Sequence, residues 1–325
     1  MPSLLDRLNF INDLELGDPQ SVDEMTVVPL IGELRATVAR PEALQFTRTT
    51  TYGKMEFKNT DKDDPAIVPA NMMVRGKKAQ DHAMSGSGVV LAASDRLFEN
   101  ACCVEQTQGG YLRGDQSVDT DILPAELRKA LVDPRKRDDP EYGKLWGSIK
   151  SWLRKFKKFP TVSRAHIRDF FDQKDYKEAL EEFAAEFEPV DRQIGALIMF
   201  NGIPVGLEIM PSAQHWEAYW KWLIRGCYGS QLINMKESGE LSRSTMILPN
   251  IPENATDDEV KDILTQFIDN IKMSIAPMLD SINFSDETQV DSIGNLRTEL
   301  LQTDGGGGGD LITQDGEPVY LSLVL

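Results

Sequence analysis

The chain has 325 residues, a formal net charge of −17, and 41% hydrophobic against 27% charged residues. That balance is the one of a water-soluble globular protein with ample core. It excludes general nucleic-acid binding by the whole surface, and no apolar run reaches the roughly 18 residues of a membrane-spanning helix. The N-terminus MPSLLDRLNFINDLELGDP has no basic segment followed by an apolar one, so no signal peptide is expected. Three cysteines, two of them adjacent (Cys102, Cys103), make no disulfide framework and point to a reducing, cytoplasmic setting.

In chain order, residues 1–20 read as an N-terminal arm with a short amphipathic turn. A strand-rich half follows. Residues 25–32 (MTVVPLIG) form a short buried strand, and 43–60 alternate and carry Thr, Tyr and Phe as paired strands do. The segments AIVPANMMV, GVVLAAS and FENACCVEQ read as three further strands. A polar, proline-punctuated connection spans 109–144, with one short helix near 125–131, and helices are expected over 145–159 and 174–187. Two apolar runs then flank Asn201-Gly202, a hairpin turn signal, with Pro204 close to the turn. A helix follows from an N-cap at Ser212, with Trp216, Tyr219, Trp220, Leu223 and Cys227 as its core stripe. Beyond residue 236 the chain becomes an extension. It holds a helix over about 257–273, a run of five glycines (Gly305 to Gly309) expected to be flexible, and, around Asp315-Gly316 between two apolar runs, a terminal hairpin or a single apolar strand. That strand either returns to its own sheet or adds to a neighbouring subunit.

One stretch is strongly basic. Residues 144–168 carry Lys144, Lys150, Arg154, Lys155, Lys157, Lys158, Arg164 and Arg168 and no Asp or Glu. Trp146, Ile149, Leu153 and Phe156 recur at helical spacing. Two readings stand: a solvated surface helix, or a docking face for phosphate or an acidic partner.

The chemistry-bearing stretch is 68–111. Arg75-Gly76-Lys77-Lys78-Ala79-Gln80-Asp81-His82 gathers cations, an amide and an imidazole around one glycine, which lets backbone approach a ligand. It is neither a P-loop nor a dinucleotide fingerprint. The SGSG run at 85–88 adds backbone donors. Cys102 and Cys103, adjacent on a strand, point to opposite faces. A Cys–His dyad requires His82 to fold beside one of them, whereas buried structural cysteine is the plainer reading. Glu105, at a strand end beside a glycine-rich turn, suits ribose hydroxyls or base chemistry. No CxxC occurs, and His82, His166 and His215 show no metal-ligand spacing, so neither metal nor cofactor is expected.

Several short motifs in a fixed order resemble a family. They are Val27–Pro29, the GKKAQDH loop, the GVVLAAS strand, Cys103-Val104-Glu105, the helix at Leu145-Trp146, the element Ile203-Pro204-Val205-Gly206-Leu207-Glu208, and a Trp-bearing helix over 215–227. This order is similar to that of the domain family associated with ADP-ribosylglycohydrolases and rhodanese/phosphatase-superfamily proteins, over roughly 23–233. The resemblance implies handling of ADP-ribose, NAD or related nucleotides. By position it implies Gly76, Lys78, Gln80, Asp81, Cys103 and Glu105 as candidate site residues. The chain departs from the pattern at Ala79, which is inserted, at His82, where an arginine is usual, and at Ala92, where a proline is usual.

The fold expected is α+β: a mostly antiparallel β core over 21–235 covered by aromatic-rich helices, with the N-terminal arm and the C-terminal extension outside it. Three functions remain open. One is a nucleotide-binding domain, with Glu105 and Cys103 as candidate catalytic groups and Arg75, Gly76, Lys78, Gln80, Asp81 and His82 as ligand contacts. Another is a non-enzymatic assembly subunit, for instance of a virion, whose termini contact neighbouring chains. The third is a redox regulator using an exposed cysteine of low pKa.

Overall fold

The computed structural model describes residues 8–76, 79–107, 109–113, 118–241, 252, 254–256, 258–260, 262–263, 265–267, 269–270, 282–283, 290–303 and 305–325. The fold is α+β, and its largest element is a ten-stranded sheet. Its main path runs Glu15–Leu16, Met25–Ile31, Gln193–Phe200, Ile203–Ile209, Glu317–Val324, Gly308–Gln314, Leu296–Thr303, Ile282–Asn283. Every pairing in it is antiparallel. The sequence explains the centre. MTVVPLI and QIGALIMF are nearly continuous apolar runs, and such runs suit strands buried on both faces.

One face meets the helices. Met25, Val27, Ala196, Ile198, Phe200 and Tyr320 share a core with Trp216, Tyr219 and Trp220. The other face, with Val28, Leu30, Leu197, Leu207, Leu321 and Leu323, is covered by Leu8, Ile11, Leu14 and Phe267. Thus the described part of the N-terminal arm and one turn of the late helix pack on their own chain.

The hairpin forms as expected. Asn201 (φ 48°) and Gly202 (φ 77°) both take the left-handed turn conformation, and the register shifts where Pro204 faces Met199. Asp315 and Gly316 repeat that turn at the C-terminus (φ 53° and 92°). The terminal strand lies between Ile203–Ile209 and Gly308–Gln314, so both of its edges are filled within the chain. The glycine run is no flexible tether. Gly308 and Gly309 open a strand, and a Cβ on Gly309 would sit 1.8 Å from the Ser322 carbonyl oxygen. Close backbone approach is the reason for glycine there.

Three smaller sheets carry the rest of the first half. The one that matters for chemistry is four-stranded, in the order Cys102–Cys103, His82–Ala83, Met72–Gly76, Val118–Ile122. Its helical neighbours bury Trp152, Phe156, Phe170 and Tyr176 together. The helix capped by Ser212 starts at Ala213, opens into a wider π-helical segment over Trp222–Gly229, and ends at Ser238.

The basic run is not one helix. Helix covers only Trp146–Arg154, and most of the cations already have partners. The Lys144 Nζ donates to the carbonyls of Asn100, Arg137 and Asp139, Lys155 pairs with Glu126 and Glu240, and Lys158 with Asp175. Arg168 turns inward. Among the described residues no helix is long and apolar enough to cross a membrane.

Candidate functional site

The segment after Cys103 is clasped from both sides. Val104 N–H donates to the Asp81 carbonyl (3.0 Å), Gln106 N–H to the Ala165 carbonyl (2.6 Å), and Ile167 N–H to the Val104 carbonyl (3.3 Å). This brings Gln80-Asp81-His82, Cys103–Gln106 and Ala165–Arg168 into one cluster, although 87 positions separate Asp81 from Arg168.

Asp81 is fully buried and closes the loop that begins at Gly76. Its Oδ1 accepts from Gly76 N–H (2.9 Å), and Arg168 binds the carboxylate with two nitrogens, Nε at 3.0 Å from Oδ2. Burial nevertheless pushes its pKa up to about 7, with the Glu105 charge adding to the rise and Arg168 opposing it. Glu105 is also raised, chiefly by burial. Its Oε1 lies 3.9 Å from His166 Nδ1, whose ring also faces Asp169 at 3.8 Å. The other oxygen, Oε2, is buried with no hydrogen-bond partner among the described residues, and so is Oε1 of Gln80. Gln80 is held by its other end, Nε2 donating to the Glu105 carbonyl at 2.7 Å.

His82 and Cys103 are neighbours across the strand pair, but their polar atoms are engaged elsewhere. Gly53 N–H donates to His82 Nε2 (3.1 Å), so Nδ1 carries the hydrogen and donates to the Gln80 carbonyl (2.9 Å). Burial lowers the His82 pKa to about 4. The Cys103 thiol donates to the Glu105 carbonyl (3.0 Å), and burial pushes its pKa up to about 12. A neutral thiol is a donor and not a nucleophile. Cys102 and Cys227 are likewise buried and raised, so no described cysteine is the exposed, low-pKa thiol a redox regulator needs.

Gly76 does admit a close approach, but of protein: a Cβ there would lie 2.2 Å from Leu112. Lys78 lies outside the described residues. Arg75 is engaged with other partners. It pairs with buried Asp121 (2.6 Å), stacks 4.6 Å from the Phe171 ring centroid, and reaches Asp172 at 3.5 Å. Arg225, carried by the π-helical segment, binds the other side of Asp121 (2.5 Å). A cavity of about 140 Å³ opens between the two arginines. Asp172 links it to the carboxylate cluster, since its other oxygen is 3.9 Å from Arg168.

The profile of the ARG and Rhodanese-Phosphatase-superfamily-associated Protein domain matches residues 13–324. The chain belongs to this ARPP-1 family. The match extends past the motifs on both sides and takes in the C-terminal hairpin, in keeping with that hairpin's place in the central sheet. No curated protein matches, and no solved structure does. In this ARPP-1 chain the fold places Gln80-Asp81-His82 and Cys103-Val104-Glu105 side by side.

Sequence reasoning missed Arg168 and His166 at the cluster, and Asp121, Asp172 and Arg225 at the cavity. Arg168 was grouped with the basic run, and the one local hint was the change to Asp169 and Asp172 directly after it. Among the described residues, no group of three or more His, Cys, Asp or Glu is arranged to hold a metal ion.

Proposed function

We propose that this ARPP-1 chain binds a nucleotide of the ADP-ribose or NAD type, with the ribose hydroxyls donating to Glu105 Oε2 and Gln80 Oε1. The observation that carries the reading is the pair of buried acceptor oxygens with no partner among the described residues. An unsatisfied buried acceptor costs about 1–3 kcal/mol, and a vicinal diol supplies the two donors that would remove that cost. The Arg168 guanidinium, partly exposed at 15%, provides positive charge at the same cluster. The family's name, with its link to ADP-ribosylglycohydrolase-associated proteins, favours this ligand class. Asp81, with its pKa near 7, is suited to exchanging a proton at neutral pH, which makes turnover worth seeking once binding is established.

Isothermal titration of the full chain with ADP-ribose and with NAD tests this. Binding by the parent that is lost in Glu105→Gln is the expected result. Absence of binding to both ligands would falsify the reading.

A further inference from the structure

Beside the cluster runs a row of aromatic rings, two of them exposed. Tyr52 touches Tyr111 on one side and Tyr142 on the other, with centroids 5.3 and 5.4 Å apart, and Tyr142 meets Trp146 at 5.5 Å. Five large hydrophobic side chains are exposed among the described residues. The two aromatic ones, Tyr111 at 48% and Tyr142 at 37%, both stand in this row. An aromatic ring is a large apolar surface, and leaving its face in water forgoes burial.

The row is bound to the site residues through the backbone. Gln80 N–H donates to the carbonyl of Gly110, the residue before Tyr111, at 3.3 Å. Cys103 N–H donates to the Tyr142 carbonyl at 2.7 Å, and Trp146 Nε1 to the Cys103 carbonyl at 3.1 Å. Gly53, next to Tyr52, donates to His82. The backbone of Gln80, whose side-chain oxygen is an orphan acceptor just below the surface, therefore adjoins the segment that carries the exposed ring of Tyr111. Tyr111 also walls a groove of about 620 Å³ shared with Arg48, Arg113 and Thr47. Arg113 is exposed and has no carboxylate partner among the described residues.

We propose that Tyr111 and Tyr142 form the nucleobase platform of this site, an adenine-type ring stacking on the open face of Tyr111 while its ribose reaches Gln80 and Glu105. This rests on the nucleotide reading above and assigns the end of the ligand that the carboxylate cluster leaves free. A π-face stacks on tyrosine without a base-specific hydrogen bond, so the platform gives affinity with little discrimination among bases.

The test compares ADP-ribose with ribose 5-phosphate, which has no base, by isothermal titration of the full chain and of Tyr111→Ala, Tyr111→Phe, Tyr142→Ala and Glu105→Gln. The platform requires Tyr111→Ala to weaken ADP-ribose about tenfold, or ~1.4 kcal/mol, within the range of one base–aromatic stack. Tyr111→Phe keeps the ring and should keep the affinity, and ribose 5-phosphate should not distinguish Tyr111→Ala from the parent. If ADP-ribose binding falls in Glu105→Gln but is untouched by either alanine at the tyrosines, the platform is overturned and the nucleotide reading stands. Equal losses for both ligands in Tyr111→Ala would also overturn it, because the ring would then be acting through the fold. No ADP-ribose binding by the parent removes the nucleotide reading and the platform together.

Discussion

Two of the charged networks that the molecule buries differ in how completely they are closed. In the first, Arg128 donates to Glu208 (2.7 Å), Ser322 (2.6 Å), Asn71 (3.3 Å) and the Cys227 sulfur (3.2 Å). Glu208 also accepts from Tyr228 and from Ser322, both at 2.6 Å. No side-chain nitrogen or oxygen of these residues lacks a partner. In the second, Asp81, Glu105, Gln80 and Arg168 are packed together, yet Glu105 Oε2 and Gln80 Oε1 have none among the described residues. A closed network has no valence left for a ligand and acts as a clamp, here between the Ala125–Lys129 helix, the hairpin and the terminal strand. An open one keeps acceptors that only an added donor can satisfy.

The sharpest way to break this contrast is to open the closed network. Arg128→Ala should lower unfolding stability by about 3–5 kcal/mol, the usual penalty for leaving a buried carboxylate without its partner. Denaturant unfolding reads it directly. A loss below about 1 kcal/mol would place Arg128 with surface ion pairs and abolish the distinction.

A change of like size in the open network should do something else. Glu105→Gln removes a charge whose burial is already unfavourable, so stability should stay within about 1 kcal/mol of the parent and not fall below it by more. Binding of ADP-ribose should vanish in the same variant. A stability loss comparable to that of Arg128→Ala would make Glu105 a second clamp, and the orphan oxygen would lose its meaning.

The two networks were unequally legible in the sequence. Glu208 stood in a recognised motif, and its strand was readable from the apolar runs around Asn201-Gly202, but nothing local announced that Arg128, 80 positions earlier, would meet it. At the site, Gln80, Asp81 and Glu105 were singled out from their own short motifs, and the structure brings them together. His82 and Cys103 were singled out too, and tertiary burial gave both their hydrogen bonds to backbone partners. Arg168 was hidden because composition cannot tell a solvated cation from one turned inward. That choice depends on where Asp81 lies in space. The glycine run misled for a related reason. Flexibility and close packing both call for glycine, and only the neighbouring strand decides between them.

The smallest effect concerns how Asp81 titrates. Its folded pKa of about 7 lies above the ordinary 3.8, so the folded state binds this proton more tightly than the unfolded chain does. The stability it contributes is fully present below about pH 3.8 and is lost as pH rises through 7, with a slope of at most about 1.4 kcal/mol per pH unit. His82, the next residue, acts oppositely. Its folded pKa of about 4 lies below 6.5, so its contribution is lost as pH falls from 6.5 toward 4. Between those limits the two protons offset each other, and the parent profile hides both. The stability of Asp81→Asn, subtracted from that of the parent at each pH, isolates the first. The difference should move against the parent from about pH 4 to 7 and be flat above it. A flat difference throughout would mean that Arg168 holds Asp81 ionised in the fold. The carboxylate beside Glu105 would then be a fixed anion, as closed as Glu208, and only the two orphan oxygens would still mark this network as a site.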